Sequence, residues 1–235
     1  MTGRLALTFD DRHIGSWLAA RPLLDAASAR VTFFIVEADL LDDDERAGVH
    51  TLLADGHRIG SHGLRHLDAD ERIAADGADA YLTEEIDPSI RALESLGADV
   101  RTFAYPNSRR DAASDAALLT RFAVLRGGGP RTLDPAEAAA ALRDPDADTR
   151  VLTARGIDTG RGDHQHPPDA DVMSALLRRL AETGGSLVVY AHDIAVHSAT
   201  NHVHPERLQN LLAEAEGLGI DLVGMDELTE GHHEA

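Results

Sequence analysis

The sequence of 235 residues contains no cysteine, no lysine and few aromatic residues. Because cysteine is absent, disulfide bonds and thiolate metal ligands are excluded, and a bound metal would need histidine and carboxylate ligands. No stretch approaches the ~18 consecutive apolar residues of a membrane-spanning helix. A strand pattern begins at Leu5, which leaves no room for a secretory signal before it. We therefore expect a soluble, cytoplasmic protein.

The net charge is −19 at pH 7, and all 22 basic residues are arginines. This excess of negative charge disfavours nucleic acids and anionic membranes as partners. The acidic residues are spread along the chain, which is typical of a surface that stays hydrated in concentrated salt, where the Debye length is only about 3 Å at 1 M. We infer a salt-accumulating halophile as the source. The alternative is a GC-rich genome that uses arginine in place of lysine.

The hydrophobic pattern predicts strands that alternate with helices, within a single domain over residues 1–235. The strand patterns lie at residues 5–11, 31–36, 57–60, 100–105, 122–126, 151–157, 187–191 and 222–225. The helical patterns lie at residues 16–29, 42–54, 78–96, 170–182 and 205–218. This alternation predicts an α/β fold with a parallel sheet, and the number of strands suits a barrel.

The first strand pattern ends in two adjacent carboxylates, Asp10 and Asp11. Neighbouring side chains of a strand point to opposite faces, so one carboxylate can face a metal while the other faces a substrate. The alternative is that the pair caps the helix that begins near Ile14. The two residues alone do not decide between these interpretations.

Polar residues also follow four later strand patterns. In a parallel barrel the carboxyl ends of the strands meet at one edge, where the loops carry the chemistry. We therefore expect these polar segments to converge with the two carboxylates of the first strand. The segments are Ser61–His66, Tyr105–Asn107, Asp158 and His192–Asp193.

His62 and His66 are spaced four residues apart. On a helical turn this spacing would place both rings on one side, where they could bind one ion. The alternative is two surface histidines on a loop. Together with one carboxylate from Asp10 or Asp11, the histidines give the two-histidine, one-carboxylate ligand count of a catalytic zinc site.

Several motifs, in this order and at these separations, resemble the polysaccharide deacetylase family, also called the NodB-homology domain or carbohydrate esterase family 4. The matching segments are Thr8–Asp11, Val31–Phe34, His62–His66, Phe103–Pro106 and the apolar strand that leads into His192. The resemblance extends from about residue 5 to residue 228. It implies a distorted (β/α) barrel and metal-dependent removal of acetyl groups from N-acetylated sugars or glycan precursors.

The resemblance implies that Asp11, His62 and His66 bind one divalent metal ion, for which zinc is the expected choice. It also implies that Asp10 is the general base that takes a proton from the attacking water. One position departs from the family pattern, because Gly63 follows the first metal histidine where a hydroxyl residue is usual.

The resemblance implies that His192 is the general acid that protonates the leaving amine. Asp158 resembles the acid that orients and tunes this histidine. The usual Asp-Trp pair is absent here, because Thr159 follows Asp158. Asp163 therefore remains an alternative partner for His192.

The resemblance places the substrate-binding residues in the third motif, with one backbone N–H holding the oxyanion. These residues are Tyr105, Pro106 and Asn107, and the N–H belongs to Asn107. The arginine that orients the base in many family members is replaced by Ala104. We expect Arg109 or Arg110, from the following loop, to take its place.

Two other functions remain compatible with the sequence. One is a different amide or ureide hydrolase on the same scaffold, and the other is a catalytically silent carbohydrate-binding relative. The oligomeric state is not determined. Trp17 is expected either in the core or on a sugar-stacking face. The remaining histidines are expected to be ordinary loop residues, or else to line the pocket and contact sugar hydroxyls or a second ion. They are His164, His166, His197, His202 and His204.

Overall fold

A computed structural model describes residues 2–145 and 147–229, and its centre is a closed barrel of seven parallel strands. The strands are β1 (Arg4–Asp11), β2 (Thr32–Ile35), β3 (Arg58–Ser61), β4 (Thr102–Ala104), β5 (Val124–Gly128), β6 (Leu142–Arg143), β7 (Val151–Gly156), β8 (Gly160–Arg161), β9 (His164–Gln165), β10 (Ser186–Ala191), β11 (Asp193–Ile194), β12 (Asn201–Val203) and β13 (Asp221–Val223). The ring runs β1-β2-β3-β4-β5-β7-β10 and closes where β10 pairs with β1. The predicted distorted (β/α) barrel is therefore confirmed.

Helices surround the barrel and connect most of its strands. In chain order they are α1 (Ile14–Ala19), α2 (Arg21–Ala26), α3 (Asp43–Ala54), α4 (Ala69–Asp76), α5 (Ala78–Tyr81), α6 (Asp87–Glu94), α7 (Ala112–Leu118), α8 (Pro135–Ala138), α9 (Ala170–Thr183) and α10 (Pro205–Gly217). Short 3₁₀ turns lie at Ala38–Leu40, Pro106–Ser108, Ala139–Ala141 and Asp226–Thr229. Among these residues, no helix is long and apolar enough to cross a membrane.

Two predicted helices are interrupted, each beside a proline. The helix predicted at 16–29 is split into α1 and α2, because Pro22 begins a new helix and has no N–H to continue the old one. The helix predicted at 78–96 contains a π-helical turn, Leu82–Ile86, between α5 and α6. Pro88 has no N–H for the carbonyl of Glu84, so the α-helical hydrogen-bond ladder cannot continue through this point.

The strands separate an inner core from an outer core. In β1, Leu5, Leu7 and Phe9 pack outward against the helices, and each such buried side chain stabilises the fold by about 1.5–3 kcal/mol. Ala6 belongs to the smaller inner cluster. Because side chains alternate along a strand, Asp10 lies on the same inward face as Ala6. The inward residues of the barrel are Ala6, Phe34, Ala104, Val124, Leu152, Ala154, Val188, Met225 and Leu228.

A second, smaller sheet forms from the loops that follow β7 and β10. It has four strands in the order β11-β12-β8-β9. Two backbone hydrogen bonds help to hold its loops in place, from the Gly162 N–H to the Ser198 carbonyl at 2.7 Å and from the Thr159 N–H to the His202 carbonyl at 2.6 Å. These loops leave the carboxyl ends of barrel strands, so the small sheet lies at the edge where the predicted site residues converge.

A rise in potassium chloride from low to multimolar concentration is expected to raise the melting temperature. Screening weakens the self-repulsion of a chain with a net charge of −19. In a protein of this size, each kcal/mol gained corresponds to roughly 2–4 °C. Thermal melts at both concentrations measure the effect. An unchanged or lower midpoint would favour the GC-rich genome as the origin of the composition.

Candidate functional site

A cleft of about 340 Å³ lies at the carboxyl edge of the barrel. Its lining residues come from four barrel strands or the loops that follow them, and from the small sheet with its loops. They are Asp10, Asp11, His62, His66, Tyr105, Asn107, Ser108, Arg161, Tyr190, His192, Thr200 and Asn201. Two predicted site residues are not among them: Pro106 is buried at the start of a 3₁₀ turn, and Asp158 contacts His192 directly.

Asp11, His62 and His66 form the one group of potential metal ligands found among the described residues. The Asp11 Oδ1 atom lies 3.6 Å from His62 Nε2 and 3.7 Å from His66 Nε2. Ligand atoms bound tetrahedrally at ~2.0–2.1 Å from zinc would be ~3.4 Å apart. The three side chains therefore fit a divalent metal ion with little rearrangement.

The tautomer of His62 also suits a metal ligand. Its Nδ1–H donates to the Ala104 carbonyl at 2.8 Å, which leaves the Nε2 lone pair directed toward Asp11. Burial lowers the pKa of His62 to about 3, so the ring is neutral at physiological pH. A backbone carbonyl that fixes the outer nitrogen in this way is typical of metal-binding histidines.

The segment between His62 and His66 is a loop, so the helical turn assumed for this pair is wrong. Gly63 has a φ of +81° and His66 a φ of +58°, and an α-helix has φ near −63° throughout. The two imidazole rings nevertheless meet edge to face, with centroids 4.8 Å apart. The loop therefore brings the two rings together, as a helical turn was expected to do.

Glu85 supports this loop from the π-helical turn, a role that the sequence did not indicate. Its Oε1 atom accepts hydrogen bonds from the Arg65 N–H at 2.7 Å and the Leu67 N–H at 3.4 Å. A Cβ atom at Gly63 would lie 2.6 Å from the same oxygen. The glycine that departs from the family pattern therefore makes room for Glu85.

Asp10 points into the barrel and pairs with Arg126 on β5, not with Arg109 or Arg110. The Arg126 Nη2 atom donates to Asp10 Oδ2 at 2.6 Å, and both side chains are almost fully buried. The guanidinium also lies over the Tyr190 ring, with its carbon 4.7 Å from the ring centroid. The other carboxylate oxygen, Asp10 Oδ1, is buried and has no hydrogen-bond partner among the described residues.

Arg109 and Arg110, which were expected to replace the missing family arginine, bind other carboxylates. Arg109 pairs with Asp70 at 3.0 Å and Glu71 at 2.8 Å, while Arg110 Nε donates to Asp115 at 2.9 Å. Both arginines follow the 3₁₀ turn that leads the chain away from the barrel interior. The expectation is therefore wrong.

Arg126 stands beside the position at which the family arginine was expected. Ala104 and Arg126 are direct partners in the parallel pairing of β4 and β5. Cross-strand partners have side chains on the same face of a sheet. The guanidinium thus reaches Asp10 from the neighbouring strand.

Replacing Arg126 by methionine is expected to destabilise the protein by roughly 3–5 kcal/mol, because the buried carboxylate of Asp10 loses its partner. The double variant Asp10→Asn/Arg126→Met should lose less stability than the sum of the two single losses. Urea unfolding of all four proteins measures the coupling between the two side chains. Additive losses would mean that the ion pair does not stabilise Asp10.

His192 is held in the cleft by three hydrogen bonds. Its ring Nδ1–H donates to Asp158 Oδ2 at 2.8 Å, and its backbone N–H donates to Asp158 Oδ1 at 3.2 Å. Its carbonyl accepts a hydrogen bond from Trp17 Nε1 at 3.0 Å. Trp17 is a fully buried core residue. The partner of His192 is Asp158 rather than Asp163.

The charge environment of His192 favours the protonated ring. Burial by itself would lower the pKa of His192. The hydrogen bond with Asp158 and the nearby charges of Asp158, Asp10 and Asp11 outweigh burial and raise the pKa to about 9. At neutral pH the ring therefore carries a proton that it could donate.

The third motif contributes backbone more than side chains to the cleft. The Tyr105 hydroxyl donates to Asp115 at 2.8 Å, and burial raises the pKa of this phenol. Asn107 and Ser108 have φ angles of +51° and +57°. The Asn107 side chain donates from Nδ2 to Asp68 Oδ1 at 2.9 Å. Strained backbone beside a cleft is common at functional sites.

The other histidines do not form a second metal site among the residues that the structure describes. His202 lies on β12 of the small sheet and is buried. His204 caps α10, where its Nδ1 accepts a hydrogen bond from the Glu206 N–H at 3.2 Å. The rings of His164 and His166 contact each other, with centroids 5.5 Å apart. His197 is stacked edge-on against His202.

A closed parallel barrel with carboxylate and imidazole side chains at the carboxyl ends of its strands places this chain in the (β/α) barrel class. The family model for polysaccharide deacetylase matches residues 2–121. The chain therefore belongs to the polysaccharide deacetylase family, as the sequence motifs predicted. No match is found among curated proteins.

The chain is also similar in structure to solved members of carbohydrate esterase family 4. One is the family 4 carbohydrate esterase from Streptomyces lividans, with 15% identity, coverage of 95% of this chain and 92% of that chain, and a TM-score of 0.57. The peptidoglycan deacetylase PdaC from Bacillus subtilis has 14% identity, coverage of 97% and 91%, and a TM-score of 0.57. A pseudoenzyme from Bacillus anthracis has 15% identity, coverage of 97% and 66%, and a TM-score of 0.58.

Proposed function

We propose that this protein is a metal-dependent hydrolase that removes acetyl groups from N-acetylated amino sugars or glycan precursors. The observation that carries the proposal is that Asp10 and His192 line one cleft and that each is held by a charged partner. Asp10 is backed by Arg126, and His192 is backed by Asp158. The Asp11, His62 and His66 cluster lines the same cleft. A base, an acid and a set of metal ligands are the parts that amide hydrolysis requires.

Asp11, His62 and His66 would hold the ion, and zinc suits two imidazoles and one carboxylate. When bound there, a divalent cation would polarise the acetyl carbonyl and lower the pKa of the attacking water toward ~7. The three ligand atoms lie within 4.8 Å of one another in a cleft of about 340 Å³, which leaves space for substrate and water. The remaining chemistry falls to residues of the chain itself.

Asp10 would take the proton from the attacking water. Its Oδ1 atom has no hydrogen-bond partner within the described part of the chain, while Arg126 holds Oδ2 and fixes the carboxylate. His192 would donate a proton from Nε2 to the nitrogen of the leaving amine, because its Nδ1 is occupied by Asp158. The Asn107 N–H would donate to the carbonyl oxygen as negative charge develops there. The products are acetate and the free amino sugar.

The same residues argue against a catalytically silent carbohydrate-binding protein, even though one structural neighbour is a pseudoenzyme. A silent relative has no need for a buried arginine that holds the base. It has equally little need for a carboxylate that raises the pKa of His192 to about 9. A different amide or ureide as substrate remains compatible with this machinery. The predicted single domain and cytoplasmic location stay predictions.

Acetate release from N-acetylglucosamine oligomers and nucleotide-linked N-acetyl sugars is expected with added zinc, and removal of the metal by a chelator should abolish it. Ureides assayed in parallel test the alternative hydrolase. The His62→Ala and His66→Ala variants should lose both metal and activity. His50→Ala is the matched control, because His50 is an exposed histidine on α3. Full metal content in the His62 and His66 variants after dialysis would place the metal elsewhere.

A further inference from the structure

The small sheet presents an arginine to the catalytic cleft. Arg161 lies on β8 and pairs with Asn201 on β12 and with His164 on β9. Directly paired residues in antiparallel strands have side chains on the same face. Arg161 and Asn201 both line the cleft, so this face of the sheet covers the cleft opposite the barrel.

Arg161 is the one arginine among the described residues that line the cleft, and its guanidinium is available to a ligand. Its guanidinium makes no hydrogen bond or ion pair with any residue that the structure describes, and the residue is exposed. Arg126, which contacts the cleft residue Asp10, is committed to that ion pair inside the barrel. Uncharged donors for sugar hydroxyls are already present on the small sheet, at Thr200 and Asn201. The guanidinium therefore adds a positive charge, which a neutral sugar does not need.

We propose that Arg161 selects a substrate that carries a carboxylate or phosphate in addition to its N-acetyl group. This inference rests on the proposed function, because it concerns the substrate of the same cleft. A guanidinium presents a planar pair of N–H donors that matches the two oxygens of either anion. The molecule as a whole has a charge of −19 and repels anions. An anionic substrate would therefore need a local cation at the cleft.

Calorimetry with three sugars tests the assignment. N-acetylmuramic acid carries a carboxylate, N-acetylglucosamine 6-phosphate carries a phosphate, and N-acetylglucosamine carries neither. At least one anionic sugar should bind to the wild-type protein about 10- to 100-fold more tightly than the neutral sugar. Arg161→Gln should remove this difference, and Arg161→Lys should retain part of it. The sugar that shows the difference identifies whether Arg161 selects a carboxylate or a phosphate.

Arg179→Gln is the control for a loss of one positive charge, because Arg179 is exposed on α9 and does not line the cleft. This variant should keep the full selectivity. Equal binding of all three sugars by the wild-type protein, or unchanged selectivity in Arg161→Gln, would overturn the assignment.

Acetate release from the same sugars separates this inference from the proposed reaction. Selective binding that depends on Arg161, without acetate release from any sugar, would support the assignment and contradict the deacetylation. Acetate release from N-acetylglucosamine at the same kcat/KM as from the anionic sugars would support the reaction and contradict the assignment. Acetate release that favours an anionic sugar, and loses this preference in Arg161→Gln, is the expected result.

Discussion

Asp10→Asn is expected to lower turnover by about 10²–10⁴-fold while the metal stays bound. The asparagine cannot accept the proton of the attacking water, and this range is typical for the loss of a general base. Asp10 is not one of the clustered metal ligands. Steady-state kinetics and metal analysis of the same preparation measure both quantities.

Asp11→Asn should give the complementary result, with weaker metal binding and a loss of activity that added zinc partly restores. Asp11 supplies the carboxylate oxygen that lies within 3.7 Å of both ligand histidines. Its φ of +80° turns the end of β1 toward them. The two adjacent carboxylates therefore face different partners. Retention of metal by Asp11→Asn, together with its loss from Asp10→Asn, would reverse the two roles.

His192→Ala is expected to keep its metal and to slow the hydrolysis of acetamido sugars far more than that of activated acetate esters. A poor amine leaving group needs a proton, whereas an activated leaving group hardly needs one. General acid catalysis contributes roughly 10²–10⁴-fold. Equal losses for both classes of substrate would contradict the assignment of His192 as the acid.

The pH dependence provides an independent test of the same residue. In the metal-free protein the pKa of His192 is raised to about 9, so the acid is protonated below this pH. Asp158→Asn removes the charge that raises this pKa and leaves only a neutral amide oxygen as acceptor, while burial continues to lower the pKa. The basic limb of the activity profile should therefore move to lower pH. A limb that stays in place would mean that another group controls it.

The same shift predicts how stability depends on pH. Because the folded pKa of about 9 exceeds the ordinary value of 6.5, the stabilisation is fully present below pH 6.5 and is lost as the pH rises through 9. It amounts to about 3 kcal/mol by linkage. Urea unfolding of the metal-free protein between these pH values should show the loss, and Asp158→Asn should abolish it.

The sequence predicted those parts of the molecule that depend on local pattern. The alternation of strands and helices predicted the barrel, and the ends of strands located the residues that converge at the cleft. The sequence also predicted one cluster of Asp11, His62 and His66. The segment between the two histidines was predicted as a helical turn, however, and it is a loop. The sequence left Asp158 and Asp163 open as partners of His192, and in the structure His192 contacts Asp158, in the loop after the strand beside β10.

The missed residues act across long separations in sequence. Arg126 contacts Asp10 over 116 positions, and its place depends on the register between β4 and β5, which no local pattern specifies. Glu85 reaches the His62–His66 loop from a π-helical turn, which the helical pattern of the sequence does not distinguish from an α-helix. One signal was available for Arg126, since a charged residue in the apolar run 122–126 is unusual in a buried strand.

Anomalous diffraction at the zinc edge, from crystals of the zinc-loaded protein, tests the central claim most directly. The account predicts a peak in the cleft within ~2.3 Å of a carboxylate oxygen of Asp11 and of the Nε2 atoms of His62 and His66. It also predicts that Asp10 stays bound to Arg126 and does not ligate the ion. A peak ligated by Asp10, or no peak at these three residues, would contradict the account.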